Sequence, residues 1–232
     1  MLRNVLAYSS LSKLASVHPI EKIILCIGTI IALGFSTKCY PLIINIIVFL
    51  FLHIKYKNPM HVVKGFVEAT LIFAIFSSIT FIFDYGIYRT LVIVLKSVSG
   101  GIVISFLTLT TPTNHIFYLG SKVSWLKDIC DLGKSMERFL IIVDDEFRAL
   151  NKAMIARGGF GGFKAKVKDA GTLGGLLFVN TMYKWKEIKN GINSRCYQGI
   201  IHYSDEQFDL SYIRIALIMS YILFLIIIIN IF

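Results

Sequence analysis

The chain has 232 residues, 56% of them hydrophobic and only 16% charged. That much apolar sequence excludes an ordinary soluble domain of this length and points to a polytopic, all-α membrane protein. A formal net charge of +10 in such a chain is read first as membrane sidedness, not as a nucleic-acid surface.

The first residues, MLRNVLAYSSLSKLASVHPIEK, lack a continuous apolar core and a small-residue cleavage site, so no cleaved signal peptide is expected. Pro19 suits the first position of a helix. Two uncharged apolar runs follow, residues 23–35 and 42–54, separated by Ser36-Thr37-Lys38-Cys39-Tyr40-Pro41. Each is shorter than the roughly 20 residues of a full span. With their flanks they read as two spans joined by a tight turn; a re-entrant pair is the competing arrangement. A short basic loop, 59–64, leads to a third span at 66–83 and a fourth at 91–109, with Asp84-Tyr85-Gly86 as the turn between them. Glu68 and Lys96 are the charges within these spans. They read either as functional intramembrane groups or as side chains that snorkel from a span end. Thr110-Thr111-Pro112-Thr113 closes the fourth span, residues 114–209 are polar, and 212–232 form the last span, with Arg214 at its start.

Five spans divide the basic residues unevenly. One side holds 21 of the Lys and Arg residues, among them Lys55, Lys57, Lys64 and fourteen between Lys122 and Arg195; the other holds Lys38 and Arg89. The rich side is expected to be the cytoplasm. The N-terminus and the long polar section are then cytoplasmic and the C-terminus lies outside.

The polar section contains two helical patterns. Met136, Phe139, Leu140, Val143, Phe147, Leu150 and Met154 share one face, with Glu137, Asp144, Asp145, Arg148 and Lys152 opposite. Gly158 and Gly159 stop this helix, which leaves Arg157 at its last turn. A second helix is expected to start near Asp169 as its N-cap. Its apolar face runs through Phe178, Met182, Trp185, Ile188, Ile192 and Cys196, and Gly171, Gly174 and Gly175 are expected to allow close approach to the first helix. The four cysteines and five histidines have no metal-ligand or disulfide spacing. The glycines between the helices follow no strand and precede no GK[ST], so they are a turn and not a phosphate loop.

The two helices end alike: Ala156-Arg157-Gly158-Gly159-Phe160, and Ser194-Arg195-Cys196-Tyr197-Gln198-Gly199. Each arginine stands between small residues, which let a partner backbone approach a planar guanidinium fork. This suits docking into protein grooves; the competing reading is that each arginine caps its own helix. A membrane-embedded enzyme holding Mg²⁺ on Asp144 and Asp145 lacks a second acidic motif, and those residues lie on a solvated helix face.

The chain resembles the transmembrane T component of energy-coupling-factor (ECF) transporters, the EcfT/CbiQ family. The resemblance spans nearly the whole chain. It rests on His18-Pro19 with Lys22, on Leu109-Thr110-Thr111-Pro112, on Arg138-Phe139 and Glu146, and on Ala156-Arg157-Gly158, which matches the family's Ala-Arg-Gly motif. Ser194-Arg195-Cys196-Tyr197 departs from that motif at both small positions and is similar to a form common in the cobalt branch.

The resemblance implies about five transmembrane helices plus a cytoplasmic pair of crossing coupling helices: a membrane domain over 1–110, coupling helices over 111–211, and a last transmembrane helix over 212–232. It implies a non-catalytic subunit without cofactor or metal. Two cytoplasmic ABC ATPases, CbiO- or EcfA-like, would be contacted through Ala156, Arg157, Gly158, Ser194, Arg195 and Cys196. Phe147, Met154, Trp185 and Ile192 would hold the helix crossing and meet a membrane substrate-binding component. That component would be CbiM-like for cobalt or nickel, or a vitamin-binding S component.

Overall fold

The computed structural model describes residues 2–196, 208 and 210–231, and every regular element among them is helical. Contacts divide the chain into two compact units, residues 1–116 with 205–232, and residues 117–204.

The first unit is built on α1 (Leu2–Leu11), α2 (Pro19–Gly34), α3 (Cys39–Lys55), α4 (Met60–Thr110) and the last helix, Tyr212–Ile231. Among the described residues, three stretches are long and apolar enough to cross a membrane: Met60–Phe83, Tyr85–Thr110 and Tyr212–Ile229. The chain is thus a polytopic membrane protein. α2 and α3, with 16 and 17 residues, are helices of about 24–26 Å at 1.5 Å per residue, shorter than the three long ones. The interruption at residues 35–38 divides the apolar sequence before either run reaches full length.

α4 runs for 51 residues and is broken only at Gly86, whose φ of 77° and ψ of 169° are not helical. A residue with a side chain is strained there, so glycine is what lets the third and fourth spans turn back on each other. The two arms touch closely: a Cβ at Gly101 would strike the Thr70 side chain. Small residues at such contacts are the usual device for close helix approach in lipid.

One buried cluster of this unit is Cys26, Phe49, Ile102, Val103 and Phe106, with Leu25, Ile46, Leu52 and Tyr56 around it; Leu33, Leu42 and Val92 form another, and Val62, Val63 and Leu109 a third. The outward surface is also apolar. Phe73, Phe76 and Phe83 are each more than two-thirds exposed, as expected of side chains that face lipid. Two polar side chains at the centre of the unit are paired. Asn45, fully buried, donates to Ser99 Oγ and accepts from the Tyr221 hydroxyl, both at 2.8 Å. His53, also fully buried, accepts from Asn58 Nδ2 at 3.0 Å through Nδ1, so Nε2 carries the proton and donates to the Ile102 carbonyl at 3.3 Å. Both ring nitrogens are occupied by structural bonds.

Glu68 and Lys96, the charges expected within the third and fourth spans, each bond a neighbour. Glu68 faces outward and pairs with Lys64 at 3.7 Å. Lys96 donates to the Gly34 carbonyl at 2.8 Å, at the negative end of α2.

α5 (Thr113–Ser121) carries the chain out of the first unit. The second unit is α6 (Lys127–Ala156) and α7 (Phe163–Asn193), two helices of 30 and 31 residues packed on one another. The last helix, Tyr212–Ile231, is α8.

Candidate functional site: two arginine-tipped turns on a long helix pair

α6 starts nine residues before Met136, because Ile129 and Leu132 continue the apolar spacing of Met136. It ends at Ala156, with Arg157 as its C-cap. Gly158 follows with φ 78°. Its N–H reaches the Ile155 carbonyl and the Gly159 N–H reaches the Met154 carbonyl, both at 3.0 Å. These two bonds are the Schellman motif, in which a left-handed residue closes the helix and uses its last carbonyls. The turn is then tied forward, since the Phe160 N–H donates to Asp169 Oδ2 at 2.7 Å.

That bond corrects the expected role of Asp169. α7 begins at Phe163 with Gly162 as N-cap. No helix breaker lies between Gly162 and Asp169, so the helix runs back to the glycine, and the Asp169 carboxylate serves the preceding turn.

α7 ends at Asn193, capped by Ser194, whose hydroxyl donates to the Asn190 carbonyl at 2.9 Å. Arg195 follows in a turn, and Cys196 has φ 55°. The Cys196 N–H donates to the Asn193 carbonyl at 3.1 Å. The second tip therefore repeats the first: an arginine, then a left-handed residue bonded three positions back. Both arginine side chains are exposed. Tyr197, Gln198 and Gly199 of the second motif lie outside the described residues. One tip precedes α7 and the other follows it, so 31 residues hold them apart by roughly 45 Å along its axis.

Glu146 joins α6 to α7. It accepts from Asn180 Nδ2 at 2.8 Å and from Lys184 Nζ at 2.7 Å. The Lys184 ammonium, then the Asn180 amide, hold its carboxyl below the usual carboxylate range, and Lys184 is raised in return. Neither partner was legible from local spacing, because residues 34 and more apart are linked only once the helices pack.

The clasp also sets how each helix is turned. On α7, Leu173, Leu177, Asn180, Lys184 and Ile188 are among the residues turned toward the protein. The expected apolar face is rotated outward: Phe178 is 64% exposed, Met182 47%, Trp185 52% and Ile192 40%. On α6, Met154 is half-buried but Phe147 is 40% exposed. Of the four expected packing residues, Phe147, Trp185 and Ile192 thus leave much of their surface open. A Cβ at Gly171, Gly174 or Gly175 would meet nothing within 4 Å, so these glycines are not a close-approach seam with α6. Leu173 takes the inward position and turns them outward.

Two carboxylates of α6, Asp144 and Glu146, are engaged in salt bridges. Asp144 accepts from Arg148 one turn on, at 2.8 Å and 3.0 Å, and Glu146 is held as described. The four cysteines are free thiols. Among the described residues no three His, Cys, Asp or Glu side chains gather as a metal-binding set.

Sequence comparisons give the family. The model of the CbiQ family, described as cobalt transport protein, matches residues 4–210. A protein named as a fused cobalt transport protein, CbiMQ, from Methanocorpusculum labreanum is 30% identical over 112 residues, covering 48% of this chain and 19% of that one. An uncharacterized protein, MJ1089, from Methanocaldococcus jannaschii is 26% identical over 211 residues, 82% of this chain and 79% of that one. The match spans about a fifth of the fused relative and most of the uncharacterized one. With nearly the whole chain covered by the family model, this membrane protein belongs to the CbiQ family of cobalt transport proteins.

Proposed function

We propose that the chain is the scaffold and energy-coupling subunit of an ECF-type ABC importer for cobalt. It links two cytoplasmic ATPases to a membrane substrate-binding component and carries out no chemistry of its own. The observation that carries this reading is the repeated tip. The same left-handed turn follows Arg157 and Arg195, at the two ends of one 31-residue helix. Equal tips roughly 45 Å apart suit two equal partners better than one. Ala156, Gly158, Ser194 and Cys196 keep side chains small beside each guanidinium, so that it can enter a groove lined by carboxylates or carbonyls.

ATP binding draws the two ATPases together, the tips are carried with them, and α6 and α7 change their setting. The open apolar side chains of these helices, Phe147, Trp185 and Ile192 among them, then act on the substrate-binding component. The name of the fused relative supports a CbiM-like protein in that place. Residues 1–110 and 212–232 anchor the assembly in the bilayer, with 111–211 on the cytoplasmic side.

Affinity purification of the tagged chain, from cells that also express its ATPases, is expected to recover two ATPase subunits per chain. A chain that purifies with none contradicts the proposal.

A further inference from the structure

The chain leaves the first unit after Ile116 and returns to it at Asp205. Both junctions are fastened to one place, the first turn of α2. On the outgoing side, Lys22 Nζ donates to the Thr110 carbonyl at 2.8 Å and to the Leu14 carbonyl at 2.9 Å. Thr110 is the last residue of α4, so the ammonium also sits at the negative end of that helix. On the returning side, Glu21 accepts from the Ser211 N–H at 3.0 Å and from Arg214 Nε at 2.8 Å. The Phe208 ring lies 5.7 Å from His18 and 4.9 Å from His115. Outgoing and returning segments therefore also meet over His18, the residue that caps α2.

Glu21 and Lys22 are 2% and 4% exposed. Adjacent residues on a helix point in different directions, so each of these charges serves a different neighbour. Burying charges is a poor way to gain stability, because apolar replacements of buried ion pairs are often as stable or more so. What the pair adds is fixed geometry, with one side holding the end of α4 and the other the start of α8. α2 itself packs against both α4 and α8, which closes the frame.

We propose that Glu21 and Lys22 form a two-sided clamp, positioning residues through which displacement of the coupling segment is passed to α2 and so to the membrane helices. This rests on the coupling role proposed above. A loose junction would absorb the motion; a clamp at both ends transmits it.

The test uses the complete assembly in proteoliposomes and reads cobalt uptake per ATP hydrolysed, alongside the amount of assembled complex. Lys22→Met and Glu21→Gln are expected to assemble and hydrolyse ATP near the wild-type rate, while uptake per ATP falls about tenfold, within the usual range of coupling between sites. Lys22→Arg, which keeps donors for both carbonyls, is expected to retain most of the coupling. Unchanged uptake per ATP in Lys22→Met and Glu21→Gln overturns the proposal. So does a fall in uptake that merely tracks loss of assembled complex. If Lys22→Met fails to insert, Glu21→Gln decides, since its amide oxygen still accepts from Ser211. A wild-type chain that recruits no ATPase is a distinct outcome: it removes the coupling role, and the clamp with it.

Discussion

Gly158 and Cys196 occupy the same place in the two tips, but only one is suited to it by its backbone. At Gly158, φ is 78° and a Cβ would meet nothing within 4 Å, so the cost of a side chain there is conformational and not steric. Gly158→Ala is expected to lose about 1–2 kcal/mol at the end of α6. Cys196 holds φ 55° against the same preference, and Cys196→Gly is expected to relieve a comparable amount. Gly174→Ala, in a helix interior with open space around it, is expected to gain about 0.5–1 kcal/mol. Hydrogen exchange of the amides at each helix end, and of the α7 interior, measures all three; equal effects at Gly158 and Gly174 would contradict the left-handed assignment. The arginines and their small neighbours could be found in the sequence. That a cysteine adopts a glycine-like conformation could be expected only by analogy between the tips.

At the scale of elements, the long helices were legible, α1 and α5 were not, and the orientation of the helix faces was not. Apolar spacing placed α6 and α7, and Asp84-Tyr85-Gly86 marked the turn inside α4, where the structure needs only Gly86 to leave the helical region. Spacing also marked Phe178, Met182, Trp185 and Ile192 as one face of α7. It could not say which way that face points. The answer depends on Glu146, whose bonds to Asn180 and Lys184 turn a partly polar stripe inward and leave the large apolar side chains outside. A soluble helix pair with no partner would reverse that choice. The lengths of α2 and α3 show a similar limit. Their apolar runs were visible, but whether 16- and 17-residue helices belong to the membrane set depends on their neighbours α4 and α8. The clasp of α8 onto α2 was half visible: Arg214 stood out as a charge at the start of a span, while its partner Glu21, 193 residues away, did not.

At the scale of the whole molecule, sidedness follows from charge. From the 21-to-2 division of basic residues we propose that the segment carrying both tips is cytoplasmic and the C-terminus lies outside. A cysteine introduced at Lys166, in the exposed first turns of α7, is expected to escape an impermeant thiol reagent in intact cells and to react after permeabilisation. Labelling in intact cells would invert the topology. The tips matter only if they face the ATPases, and their loss is the most direct test of the account. Arg157→Ala and Arg195→Ala each remove one of the proposed docking forks, and truncating one side of a buried charged contact typically costs about 2–5 kcal/mol. One remaining tip can still retain the assembly. The measurement is therefore the double alanine variant, read as ATPase recovered in pull-down and cobalt taken up by cells. The double variant is expected to insert, to recover no ATPase and to transport nothing, with each single variant assembled but poorly coupled. A double variant that assembles and transports like wild type would show that the arginines only cap their helices, and would contradict the coupling role.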